Sequence, residues 1–342
     1  MGCWLWLLGW VMACQSPTPR PAARQAQPEH TEAAVQATQT LPAATAPPAR
    51  APGPLRFPGE GKSHADLLGT LGQARILGLS SIGTTSLTFK AELDEGTAAA
   101  LKLSAAPRPQ GYQAELQAYR LAQLLGIDNI PPVALRRLPR AHIRQGLAAE
   151  TRHPWTEVRE QVEWNDAEQA PAALIHWVPD LQSIALEDGK TRRRWQAWLQ
   201  QAEPFPAPHK VHARDFSTML LFDYLIGNWD RFSGSNTQRE GKSGRLVLRD
   251  HDVAFRAPLA PHLHQRVLEA LLRTERFSRD LVFALLDLTE SQVRRTLTKP
   301  EDAGAALNEA QLSELWERRA TALSHIGALV DAFGVDAVLC FQ

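Results

Sequence analysis

The chain has 342 residues, and its 37 Lys and Arg balance 37 Asp and Glu, so the formal net charge is zero. That balance removes any global electrostatic argument for nucleic acid as a partner. The cysteines (Cys3, Cys14 and Cys340) lack paired spacing, which excludes a disulfide scaffold and a zinc ribbon.

The chain opens with an apolar run, Trp4 to Met12, that is too short for a bilayer-spanning helix. It reads as the apolar region of a signal peptide, although no Lys or Arg precedes it. Val11-Met12-Ala13-Cys14 resembles the lipobox of bacterial lipoproteins. The resemblance implies lipidation of Cys14 and an extracytoplasmic, lipid-anchored protein, with the outer membrane as the expected location. Residues 15–56 hold nine of the chain's 24 prolines and almost no large apolar residue. Such a stretch buries too little surface to fold and reads as a tether. The expected division is therefore 1–14 leader, 15–56 tether, 57–176 first lobe and 177–342 second lobe.

The first lobe reads as strand-rich after a short helix near Ser63 to Leu71. Arg75 to Leu79 is a strand, and Ser80 to Ser86 a polar turn around Gly83. From Ser86 to Leu93 apolar and polar residues alternate, as in a half-buried strand. Asp94-Glu95-Gly96 then turns the chain into a third strand, Thr97 to Leu103, with Ala98, Ala100 and Lys102 on one face. Gln110 to Leu125 is a helix ended by Gly126. Glu115 shares a face there with Ala118, Tyr119 and Ala122, and a carboxylate on such a face calls for a cation. Lys102 is the natural partner. Arg136, Arg137 and Arg140 suggest a strand edge or loop. Ala172 to Pro179 is a nearly continuous apolar strand, in which His176 reads as a packed residue.

The second lobe reads as helical. Thr191 to Gln201 is a helix with Arg192 to Arg194 on its solvated side. Asp215 reads as the cap of a helix that Gly227 and Asn228 stop. A polar loop follows with Asp230 and Asn236. Gly241 and Gly244 then mark a reversal, and Leu246-Val247-Leu248 delivers Asp250 to a strand end. Three apolar-periodic helices complete the chain, around Val267 to Leu272, Leu281 to Leu286 and Leu312 to Ile326. Two carboxylates and an amide thus converge. Phosphoryl transfer needs such a set, because one group orients the acceptor hydroxyl while oxygen ligands hold divalent ions on the phosphates.

Asp223-Tyr224-Leu225-Ile226-Gly227-Asn228-Trp229-Asp230-Arg231 resembles the catalytic-loop segment of the secretory-pathway kinases, the four-jointed and Golgi casein kinase type. Asp250-His251-Asp252-Val253-Ala254-Phe255 resembles their metal-binding segment and that of the phosphatidylinositol 4-kinases. Ala99-Ala100-Leu101-Lys102 resembles the kinase Val-Ala-Ile-Lys signature. The resemblance implies an α+β, bilobal protein-kinase-like fold with a strand-rich N-lobe and a helical C-lobe. It implies ATP with Mg²⁺ or Mn²⁺ as cofactors. Lys102 would position phosphates, Glu115 would orient Lys102, and Asp230 would orient the acceptor hydroxyl. Asp250 and Asn236 would hold the metal, Ala100 would make room for adenine, and backbone groups at Trp177 and Val178 would meet it. Amides near Gly83 and Thr84 would face the phosphates.

Two departures stand out. Asn236 lies six residues after Asp230, whereas the usual kinase interval is about five. Asp252 replaces the Gly of the Asp-Asn-Gly pattern, as a second ligand or as a charge that repels phosphates. The acceptor class (protein, glycan or lipid) stays open. So do two alternatives: a non-catalytic, membrane-tethered binding module on the same fold, and AMP transfer from the same nucleotide.

Overall fold

The computed structural model describes residues 54–342 apart from 84, 85, 95, 150, 234, 235 and 303. The expectations for the leader, for Cys14 and for residues 15–53 of the tether lie outside the described residues, as does that for Thr84.

Helix α1 (His64–Gln73) starts on a capping box, in which Ser63 and Asp66 satisfy each other's backbone amides. Strands β1 (Ile76–Ile82), β2 (Thr88–Leu93) and β3 (Ala98–Leu103) form an antiparallel meander. The Ser80-Ser81 pair, expected in the turn, is still strand: it pairs with Lys90 and Phe89. Ladder hydrogen bonds outweigh the weak strand preference of serine there. Strands β4 (Val133–Pro139) and β5 (Gln169–His176) complete a five-stranded sheet in the order β1-β2-β3-β5-β4. The strand that carries Arg136 and Arg137 is thus an edge strand. Between β4 and β5 lie two short helices, α3 (Arg140–Gly146) and α4 (Trp155–Gln161).

Helix α2 (Gly111–Leu124) joins the two halves: it packs on β3, β4 and β5, and its apolar residues share one cluster with those of the second half. Gln113 Nε2 donates to the Ala306 carbonyl at 2.5 Å, and Arg120 forms a two-pronged pair with Asp302, one prong at 2.9 Å. Eleven of its 14 residues are buried, which no single amphipathic stripe would require.

The second half holds β6 (Leu181–Ser183), α5 (Gly189–Ala197), α6 (Lys210–Ile226), β7 (Thr237–Glu240) and β8 (Leu246–Leu248). The three strands make a small antiparallel sheet. Helices α7 (Pro261–Leu272), α8 (Arg279–Asp287), α9 (Glu290–Leu297), α10 (Glu309–Phe333) and α11 (Val335–Val338) follow. Asp215 is not the cap of α6. The helix begins a turn and a half earlier, and the buried Asp215 carboxylate accepts from Arg245 Nε at 2.6 Å and from the Leu246 amide at 3.1 Å. Burial with a cation and an amide donor satisfies it better than a solvent-facing cap could.

One apolar cluster fills the sheet half and a larger one the helical half. A third, small cluster joins Phe57 to Leu67, Val178 and Val247, so the start of the described chain packs behind the crossover between the halves. No described helix is long and apolar enough to cross a membrane.

Candidate active site

Strand alternation sets the first element of the site. Ala99, Leu101 and Leu103 point into the sheet core, while Ala98, Ala100 and Lys102 face the cleft. Lys102 pairs with Ala173 across the sheet, and Ala100 with Ile175. The Lys102 side chain is 13% exposed. Its ammonium donates to Glu115 Oε1 at 2.6 Å and to Asp250 Oδ1 at 2.5 Å, and it lies 3.6 Å from Asp252 Oδ2. Burial alone would depress the Lys102 ammonium, but the charges of Asp250, Glu115 and Asp252 outweigh burial and hold it protonated.

Glu115 is buried and comes from α2. Besides Lys102 it accepts from the His251 amide at 3.0 Å, with His251 Nδ1 at 3.3 Å. Burial would raise this carboxyl; Lys102 and His251 hold it instead far below the usual carboxylate range. A depressed carboxylate contributes stability above its unfolded pKa of about 4.3 and loses it as pH falls toward the folded value. Glu115→Gln is therefore expected to lower the unfolding free energy by about 3 kcal/mol at pH 7. The gap to the wild type should narrow below about pH 4, as measured by urea melts across pH.

The catalytic-loop segment leaves α6 through Gly227, whose φ of 68° terminates the helix in the left-handed region. The loop is then held from within. Arg231, buried, makes a bidentate pair with Asp223 (Nε to Oδ2 2.7 Å, Nη2 to Oδ1 2.8 Å). It also donates to the Arg249 carbonyl, one residue before Asp250. Asn228 Nδ2 donates to Asp223 Oδ1 at 3.0 Å. Arg231 thus fixes the segment carrying Asp230 against the segment carrying Asp250. Arg231→Met would leave Asp223 buried without its cation, and an expected loss of about 3–5 kcal/mol should show in the urea midpoint.

Asp230 projects into the cleft with Ser233 Oγ donating to its Oδ1 at 2.5 Å. Asn236 Nδ2 donates to the Asp230 carbonyl at 3.2 Å, which leaves the amide oxygen of Asn236 as an acceptor. Asp250 adopts φ 63°, a left-handed conformation uncommon for a residue with a side chain and typical of constrained sites. A third of its side chain (34%) remains open. With one oxygen on Lys102, the other oxygen of Asp250 and the Asn236 amide oxygen line the same cavity and are hard donors that could hold Mg²⁺ or Mn²⁺, which commonly take one or two carboxylates plus substrate phosphates.

Lys102, Glu115, Asp230, Asn236 and Asp250 all line one cavity of about 490 Å³, together with Gly83, Ala100, Trp177 and Val178. Of the residues singled out for the site, only Thr84 is not described. The Trp177 amide donates to the Ala98 carbonyl at 3.3 Å, so that amide is engaged within the sheet. A larger groove, about 1080 Å³, runs over α7, α9 and α10, but its converging charges, Arg294 with Glu290 and Glu309, are exposed surface ion pairs.

Asp252 lines the same cavity, with a partner that neither sequence expectation supplies. Arg108 grips both its oxygens, at 2.8 and 2.9 Å. Burial raises the Asp252 carboxyl above its usual range, with Lys102 and Arg108 opposing and Asp250 and Glu115 adding to the rise. Gly111 lies close by: a Cβ there would sit 3.2 Å from that of Asp252, a tight contact. Arg108 and Ser233 carry no motif signal. An Arg just before a helix and a Ser three residues after an Asp read as ordinary loop chemistry.

The fold is two-lobed and protein-kinase-like, with the Lys102–Glu115 pair at the cleft. It is similar to the Golgi casein kinase (TM-score 0.60, 16% identity, 81% of this chain and 79% of that one). The same kinase with Mn/ADP bound gives a TM-score of 0.59 at 15% identity, over 81% and 78% of the chains. Hydra Fam20 with sugar gives 0.60 at 17%, over 80% and 91%. Residues 89–254 match the Four-jointed box protein middle domain. Four-jointed box protein 1 of Xiphophorus maculatus is 29% identical over 125 residues, 35% of this chain and 26% of that protein. The chain thus matches about a quarter of that relative's length.

Proposed function

We propose that the chain is an ATP-dependent phosphotransferase that transfers the γ-phosphate to a hydroxyl of a protein, glycan or lipid. The observation that carries the reading is Lys102, bonded at once to Glu115 and Asp250 at the base of the cavity that Asp230 and Asn236 also line. The cavity is of nucleotide size, since small-molecule sites span about 300–1,000 Å³. The Golgi casein kinase with Mn/ADP bound supports nucleotide and a divalent ion as the ligands.

In this reading Lys102 orients the phosphates, and Glu115 keeps Lys102 at the cleft instead of in solvent. Asp230 accepts or orients the hydroxyl proton, its free oxygen turned by the Ser233 contact. Asp250 and Asn236 would hold the divalent ion, which when bound supplies charge neutralisation on the phosphates. Arg108 neutralises Asp252, so this carboxylate does not repel the nucleotide.

Titration of the full chain with ATP and Mn²⁺ or Mg²⁺ tests the reading. Ligand at about 100 times its Kd stabilises the folded state by about 2.7 kcal/mol, or roughly 5 °C in melting temperature. A metal-dependent rise followed by phosphate release or acceptor labelling supports the kinase. A rise without turnover favours a binding module, and no rise with either metal rejects the nucleotide reading. Product mass separates phosphate from AMP transfer.

The extracytoplasmic, lipid-anchored location at a bacterial outer membrane belongs to the same proposal. Metabolic labelling with a palmitate analogue is expected to mark the wild type and to leave Cys14→Ala unlabelled.

A further inference from the structure

The four carbonyls that the end of a helix leaves without an intrahelical partner need donors from elsewhere. At the end of α6 each has one. Asn228 N donates to the Asp223 carbonyl at 2.8 Å, and Gly227 N to the Tyr224 carbonyl at 3.2 Å. These two are the local helix stop. The other two donors come from distant parts of the chain. Arg318 Nε, on α10, donates to the Leu225 carbonyl at 2.9 Å. The Phe255 amide, five residues beyond Asp250, donates to the Ile226 carbonyl at 2.7 Å.

Helix α10 also reaches the second of these donors. Gln311 Nε2 donates to the Phe255 carbonyl at 2.8 Å, while its Oε1 accepts from the Asn308 amide at 2.9 Å. Gln311 and Arg318 are seven residues apart, hence on one face of the helix and about 10 Å apart along it. Both are buried. Phe255 itself sits at φ 57°, a conformation that costs free energy unless the surroundings impose it. Gly227 is in contact as well: a Cβ there would lie 3.6 Å from Arg318 Cζ.

We propose that Gln311 and Arg318 are positioning residues for phosphoryl transfer. From one helix face they brace the peptide that launches Asp230 and the peptide that follows Asp250, and so set the spacing between the acceptor-orienting carboxylate and the metal-binding carboxylate. The catalytic part of this inference rests on the kinase reading; the mechanical part does not. Neither residue reaches the cavity, so any effect on turnover passes through the two loops. A mispositioning of about 1 Å can cost about 10²-fold in rate, which is what a brace guards against.

Gln311→Glu separates bracing from folding. Glu serves the capping box at the start of α10 as well as Gln does, so the helix keeps its cap. Its second carboxylate oxygen, however, faces the Phe255 carbonyl without a proton to donate. Amide hydrogen exchange of the full chain without nucleotide, followed by mass spectrometry, tests the mechanical part. Exchange is expected to rise at least about ten-fold both in peptides covering 249–256 and in those covering 223–231, although Gln311 touches only the first. A change confined to 249–256, or none, overturns the brace.

Turnover tests the catalytic part. Gln311→Glu should lower kcat for Mn²⁺-dependent ATP hydrolysis by about 10- to 100-fold with KM for ATP within about two-fold. Arg318→Met should do likewise, and Arg318→Lys, which keeps one donor for Leu225, should recover most of the loss. Wild-type kcat in Gln311→Glu overturns this part, as does a fall that only tracks a lower melting temperature. A wild type that neither binds nor hydrolyses ATP rejects the kinase reading, and the catalytic role with it; the exchange result still decides whether the brace exists.

Discussion

Asp230→Asn is expected to lower Mn²⁺-dependent ATP turnover by about 10²- to 10⁴-fold while leaving the affinity for nucleotide within about two-fold. The reason lies in what the amide keeps and what it loses. Its oxygen can still accept from Ser233 Oγ, so the side chain stays in place. The carbonyl of residue 230, which accepts from Asn236, is untouched. Lys102 keeps its hydrogen bonds to Glu115 and Asp250, so the floor of the cleft remains intact. Only the charge that draws the hydroxyl proton is gone. Steady-state phosphate release beside melting curves with ATP and Mn²⁺ checks both halves. Unchanged turnover would remove Asp230 from the chemistry, and loss of the nucleotide-dependent melting shift would make it a binding residue.

Asp250→Asn should act in the opposite way, abolishing most of the metal-dependent stabilisation by nucleotide. Asn tolerates the left-handed φ of 63° about as well as Asp, so the backbone strain is matched. The substitution removes the anionic oxygen set for the metal and weakens one of the two short contacts of Lys102. Burial and the neighbouring Glu115 would both raise the Asp250 carboxyl, yet Lys102 keeps it below its usual range. The carboxylate is thus poised as an anion among other anions. A carboxyl held below its usual range is favoured as an anion by its surroundings on balance, so the unliganded variant should melt below the wild type, and the nucleotide-dependent shift is read from each protein's own unliganded baseline. At a nucleotide concentration near 100 times the wild-type Kd, the shift of roughly 5 °C should fall below about 1 °C. A shift that survives would place the metal on other groups.

Much of this site is legible in the sequence. Strand alternation alone put Lys102 on the same face as Ala100. A carboxylate among alanines and a tyrosine marked Glu115 as a group in need of a cation, and the cation is the expected one. Asp230, Asn236 and Asp250 do line one cavity, despite the extra residue in the Asp230–Asn236 interval. That interval is absorbed by the polar loop, where one more residue costs little because loop-closure entropy grows slowly with length.

Other features were hidden because their partners are remote in the chain. The sequence offers Asp252 as a second ligand or as a charge that repels phosphates, and only the fold shows Arg108, 144 residues earlier, on both of its oxygens. Asp215 had the composition of a helix cap, and only its distance to Arg245 shows a buried ion pair. Helix α2 reads as part of the first lobe and packs on its sheet, while its contacts with Ala306 and Asp302, which no local pattern shows, tie it to the second as well.

By itself the sequence determined the elements, the break at Gly227 and the chemical identity of the cleft-facing groups. Periodicity and local backbone preference act over a few residues and can be read there. The tertiary structure decided which charges neutralise one another and how the two acidic loops are held apart. Those outcomes depend on contacts such as Arg318 with Leu225 and Gln311 with Phe255, which join segments 93 and 56 residues apart. No local pattern records such pairs, because a buried polar group is satisfied by whichever donor the fold brings within reach.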